Sequence, residues 1–228
     1  MNETLKRALS GFVYVLIMWF GTSFSELSFQ ILFLVLGLVS IYEMWKLRKG
    51  KSKVYAFVYV LLPFFLIHFF GKIEILNFNF VFDPSLILLM FILTWTFDTF
   101  AYLFGVRFGK TKIMPSISPK KSWEGFAGGF IFTIIVTFTL INIGFLPKNG
   151  SYLNFYSVAF FLPFTATLGD FIESYFKRQA GVKDSGNFIP GHGGMLDRMD
   201  AFMITIPAIM ISLFLISIIY YSIIIKFI

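Results

Sequence analysis

Residues 174–200 read SYFKRQAGVKDSGNFIPGHGGMLDRMD. The stretch sets Lys177, Arg178, Lys183 and Arg198 beside Asp184, Asp197, Asp200 and His192, in a glycine-rich break between two long apolar runs. Charge is costly next to hydrocarbon, so a segment that keeps both signs together there needs a reason. Phosphate chemistry at a membrane surface supplies one. Cations hold phosphate oxygens, and carboxylates hold the divalent metal that accompanies them.

Composition outside this break agrees. The 228-residue chain is 57% hydrophobic, 21% aromatic and 14% charged, against about 25% charged in a soluble domain. A water-soluble fold of this size cannot hide so much apolar surface, so the chain reads as an integral membrane protein. Cysteine is absent, which excludes disulfides, thiolate metal sites and a catalytic thiol. The start, MNETLKRALSGFVYVLIMWF, has the basic front and apolar core of a signal peptide. No small-residue cleavage site follows, and it reads as a retained first span.

A span needs about 20 mostly apolar residues. The candidates are 9–24, 27–45, 54–70, 85–104, 126–146, 155–175 and 201–225. Backbone groups cannot stay unpaired in hydrocarbon, so all are helices. The predicted fold is therefore all-α, a polytopic integral membrane helix bundle of about seven transmembrane helices. With the N-terminus cytoplasmic, all of the 19 basic residues except Lys72, Lys148 and Lys226 fall on the inside. That is the bias of the positive-inside rule. The net charge of +7 is thus mostly topological and needs no nucleic-acid partner. The run 46–53 (KLRKGKSK) reads as an orientation signal resting on anionic lipid heads.

The acids gather on the same face. Asp98, Glu124, Asp170, Glu173, Asp184, Asp197 and Asp200 all fall on the cytoplasmic side or in the cytoplasmic half of a span. Asp98 interrupts an apolar helix, either for function or as a structural ion pair. Asp170 and Glu173 stand i, i+3 on one helix face with Lys177 a turn later, a metal-ligand spacing that a helix-end ion pair could also explain. Asp197 and Asp200 repeat the spacing after PGHGG, where a helix N-terminus offers backbone N–H groups to phosphate. Acidic capping of that helix is the alternative. Hard oxygen ligands on two helices point to Mg²⁺ or Mn²⁺. His192 could donate to phosphate, shuttle a proton or simply brace a turn.

Residues 105–125 (GVRFGKTKIMPSISPKKSWEG) are not a Walker A loop. Only three residues separate Gly105 from Gly109, and a membrane helix precedes them. What remains is a basic loop carrying Ser118, Lys120 and Lys121. It could grip polyphosphate or a lipid phosphate, or simply carry orientation charge. The residues together describe a metal site between helices, at headgroup depth, ringed by cations. A soluble nucleotide triphosphate and a membrane lipid phosphate could meet there.

Ser174, Lys177-Arg178, Lys183-Asp184, His192-Gly193-Gly194 and Asp197-Arg198-Met199-Asp200 follow, without a gap, the signature of the phosphatidate cytidylyltransferase (CDP-diacylglycerol synthase) family, which the chain resembles. Asp98, Gly105, Gly109, Ser118-Pro119-Lys120, Glu124, Gly128-Gly129 and Gly169-Asp170 are similar to its upstream motifs, so the likeness covers about residues 95–205. At the N-terminus the chain departs from the family, with three spans where members often carry more.

The resemblance implies that CTP and phosphatidate react to CDP-diacylglycerol and pyrophosphate. It implies Asp170 and Asp197 as metal holders, with Glu173, Asp200 and Asp98 as further ligands or supports. Lys177, Arg178, Lys183 and Arg198 would neutralise phosphates, and His192 would join the catalytic group. Ser118, Lys120, Lys121 and Asp184 would bind substrate. The expected organisation is an N-terminal block over 1–84 and a catalytic block over 85–228. The protein is expected in the cell membrane, its site facing the cytoplasm, with a homodimer as a candidate assembly. The competing class is an ion-coupled transporter, since intramembrane acids also mark ion paths. No related halves support it.

Overall fold

A computed structural model describes residues 3–70, 82–146, 152–191 and 193–227. In chain order these form α1 (Glu3–Ser23), α2 (Glu26–Leu47), α3 (Val54–Phe70), α4 (Ser85–Phe108), β1 (Lys112–Met114), β2 (Ser118–Ser122), α5 (Trp123–Asn142), α6 (Tyr152–Gln179) and α7 (Leu196–Phe227). Each predicted span has its helix. Helices α2, α4, α5, α6 and the Leu196–Ile216 part of α7 are long and apolar enough to cross a membrane, and α3 is a shorter apolar helix. The chain is a multi-pass membrane helix bundle. Phe29, Phe33 and Phe91 lie at its centre, while Phe12, Leu27, Leu38, Phe138 and Ile211 face outward. That outward apolar surface suits lipid.

The predicted basic loop contains an element that the sequence reading lacked. Strands β1 and β2 pair antiparallel, Lys112 with Ser122 and Met114 with Ser118. The ribbon is tied at its base. Trp123 N donates to Thr111 O at 2.9 Å, and Thr111 N donates to Glu124 Oε1 at 3.0 Å. Ser122 Oγ caps α5 by accepting from Gly125 N at 3.2 Å.

Helices α4 and α5 pack closely, as do α6 and α7, while α3 lies against α7 and α2. The α4–α5 approach depends on small residues. A Cβ at Gly125 would stand 2.5 Å from Ala101 O, and one at Gly129 would stand 2.5 Å from Phe97 Cδ2. Glycine permits such backbone proximity in membrane bundles.

Helix α6 runs past the predicted end at 175, through Lys177 and Arg178. It stops in a Schellman turn at Gly181 (φ 71°). There Val182 N donates to Lys177 O at 3.0 Å and Gly181 N donates to Arg178 O at 3.1 Å. Helical geometry, rather than loss of apolar character, decides where α6 ends.

Candidate functional site

Asp170 and Glu173 of α6 meet Asp200 of α7, with one carboxylate oxygen of each within 4.8 Å of the others. The i, i+3 spacing puts Asp170 and Glu173 on one face, and the close α6–α7 contact supplies Asp200. Gly169 makes that contact feasible, because a Cβ there would run into Asp200 O. From α3, Tyr59 Oη steadies the same turn by donating to Gly169 O at 2.8 Å.

Cations stand at the rim of this trio. Lys121 Nζ of β2 lies 2.6 Å from Asp170 Oδ2. The buried Lys177 pairs with Glu173 one turn back and with Asp197 Oδ1 at 2.7 Å. Glu173 is wholly buried, and among the described residues its Oε1 has no hydrogen-bond partner. Buried polar atoms are nearly always satisfied. With Asp170 and Asp200, Glu173 offers three hard oxygen donors in one place, a set that fits a divalent ion of the Mg²⁺ or Mn²⁺ class.

Asp197 stands outside the trio. Its Oδ1 takes Lys177, and its Oδ2 accepts from Gly194 N at 2.8 Å, Ser185 N at 2.9 Å and Ser185 Oγ at 3.0 Å. The first N–H groups around the start of α7, expected to face phosphate, also have a partner. Met195 N and Leu196 N donate to Glu43 of α2 at 3.0 and 2.8 Å.

Two cavities flank the carboxylates. A cavity of about 640 Å³ lies between α4, the ribbon and α5, where Ser118, Lys120, Lys121 and Asp98 line it. One of about 270 Å³ lies between α1, α4 and α7, lined by Asp98, Asp197, Arg198 and Asp200 with Tyr14 and Trp95. Asp98 borders both cavities. Lys183 and Asp184 are exposed and line neither. Arg178 Nη1 donates to Val182 O at 3.0 Å, across the turn that ends α6. His192 falls outside the described residues.

Three residues at the site escaped the sequence reading: Glu43, Ser185 and Tyr59. For Glu43 a signal existed, since it is an acid at the end of the apolar run of α2 (ELSFQILFLVLGLVSIYEMWKL), ahead of the basic loop. Ser185 and Tyr59 carry no such mark.

The profile of the Cytidylyltransferase family matches residues 56–216. A Thermotoga maritima protein named phosphatidate cytidylyltransferase is 46% identical over 126 residues, covering 53% of this chain and 46% of that protein. Proteins of the same name from Staphylococcus aureus and Staphylococcus haemolyticus are each 46% identical over 127 residues, covering 56% of this chain and 48% of theirs. The chain thus spans about half the length of the curated relatives that it matches.

Proposed function

The chain belongs to the Cytidylyltransferase family, and from that premise we infer that it transfers CMP from CTP to phosphatidate, giving CDP-diacylglycerol and pyrophosphate. The observation that carries this reading is the convergence of Asp170, Glu173 and Asp200 beside a lysine-bearing ribbon. The names of its relatives add the substrates.

A phosphate oxygen of phosphatidate attacks the α-phosphorus of CTP in line. One P–O bond forms as the bond to the β-phosphate breaks, and pyrophosphate leaves. A phosphate monoester is already a competent nucleophile near neutral pH, so no strong general base is needed. Asp170, Glu173 and Asp200, with Asp98 at the edge, would hold a Mg²⁺ or Mn²⁺ ion, which when bound draws charge from the transferring phosphoryl group. Lys120, Lys121 and Ser118 hold a phosphate in the larger cavity, and Arg198 holds one in the smaller. Lys177 stays poised between Glu173 and Asp197 and keeps the carboxylates from repelling one another. Lys183, Arg178 and Asp184 sit at the approach from the cytoplasm.

The helices from residue 85 onward supply this chemistry on a scaffold from the first 84 residues. The protein resides in the cell membrane with this face toward the cytoplasm, an orientation supported by the basic bias of the connecting segments. The test uses purified protein, labelled CTP and phosphatidate, with and without Mg²⁺. Lipid-linked CMP that vanishes on chelation supports the reading. Ion flux in sealed vesicles without nucleotide turnover would replace it with a transporter.

A further inference from the structure

Glu43 lies near the C-terminal end of α2, only 4% exposed, and the proposed reaction makes no use of it. A carboxylate so placed is costly in a membrane helix unless it has partners. Among the described residues, its partners come from the segment that leads into α7 and from the first residue of that helix. Oε1 accepts from Met195 N at 3.0 Å, and Oε2 accepts from Leu196 N at 2.8 Å and from Ser185 Oγ at 2.9 Å. The segment is shaped to fit. A Cβ at Gly186 would stand 2.5 Å from Glu43 Oε1, and one at Gly194 would stand 2.5 Å from Oε2. The negative charge also lies where the α7 dipole favours an anion.

Ser185 links this contact to the site. Its Oγ is 2.9 Å from Glu43 Oε2 and 3.0 Å from Asp197 Oδ2. A hydroxyl carries one proton and donates it to one of the two carboxylates at a time, so Ser185 holds both near one point of the chain. Asp197 in turn holds Lys177, and Lys177 holds Glu173 of the trio. A continuous polar chain therefore runs from α2 through the 185–196 segment to α6.

We propose that Glu43 is a positioning residue: it pins the 185–196 segment and the start of α7, so that Asp197 keeps Lys177 aligned on Glu173. The proposal rests on the reading of the Asp170–Glu173–Asp200 trio as the reaction centre. Removing the carboxylate strands the Met195 and Leu196 N–H groups and leaves Ser185 Oγ with Asp197 alone. The segment then loosens, and the consequence reaches the trio through Asp197 and Lys177.

The test compares the full chain with E43Q, E43A and S185A in lipid nanodiscs, by steady-state CMP transfer and by amide hydrogen exchange. Outer partners of a metal site typically contribute about 10–100-fold to activity. Accordingly E43Q should lower kcat about tenfold and E43A about 100-fold, with KM for CTP held within about twofold. S185A should fall between wild type and E43A. Exchange should quicken at 185–196 in the Glu43 variants while α4 and α5 keep their protection.

Wild-type kcat in E43Q and E43A overturns the proposal. So does a loss of activity that only follows the folded fraction, with exchange raised evenly across the bundle. If E43A does not fold, E43Q and S185A carry the same comparison. If wild type makes no lipid-linked CMP, it is the functional reading that fails. The exchange pattern then decides alone whether Glu43 pins the segment.

Discussion

Lys121 Nζ and Asp170 Oδ2 stand 2.6 Å apart, so the ribbon between α4 and α5 is tied directly to the carboxylates of α6. The two side chains are 33% and 26% exposed, and such pairs contribute only about 0–1 kcal/mol to stability. Lys121 can therefore exchange Asp170 for a phosphate at little cost. K121Q should leave the folded state intact and raise KM for CTP or phosphatidate about 10–100-fold, since a charge-assisted hydrogen bond contributes about 1.5–3 kcal/mol. Kinetics of the purified variant check this, and unchanged KM values for both substrates would count against it.

The trio itself should tolerate little. D170N, E173Q and D200N should each lower CMP transfer by about 10²-fold or more, the loss usual when one preorganised electrostatic group is removed. Each should also raise the Mg²⁺ concentration for half-maximal activity. A Mg²⁺ titration of the three variants decides the matter, and full activity at wild-type Mg²⁺ in any of them would exclude that residue as a metal holder.

Much of this arrangement is legible in the sequence. The hydropathy runs give all seven helices, and 54–70 has the same ends in the structure. The i, i+3 pairs announce Asp170 and Glu173, and Asp200 joins them. The family likeness implies Asp197 as a metal holder beside Asp170, with Asp200 as a further ligand or support, whereas the oxygens that cluster are those of Asp170, Glu173 and Asp200. Asp197 lies in the first turn of α7, where backbone N–H groups and Lys177 take both of its oxygens. The ribbon is too short and too polar for a period-two signal. The Glu43–Leu196 contact joins positions 153 apart in the chain, and no local pattern encodes such a meeting.

Packing of α4 on α5 should be sensitive to volume. G125V places branched carbon where a Cβ alone would stand 2.5 Å from Ala101 O. Overpacking of this kind costs about 1–3 kcal/mol. Thermal unfolding in detergent should show a lower midpoint for G125V, whereas G144A, with open space around it, should show a smaller shift set by its positive φ.

Orientation can be read chemically because the chain has no cysteine. Single cysteines at Lys49 and Ser116 should react with an impermeant maleimide from the cytoplasmic side. One at Phe24, in the α1–α2 turn, should react from the opposite side. Labelling of all three from one side would contradict the alternation of spans.

Whether the carboxylate trio carries CMP transfer is decided by following the α-phosphate of labelled CTP in the presence of phosphatidate and Mg²⁺. Label should enter the lipid phase mole for mole with pyrophosphate release, and D170N and D200N should lose both together. Pyrophosphate released without label in lipid, or transfer undiminished in D170N and D200N, would contradict this.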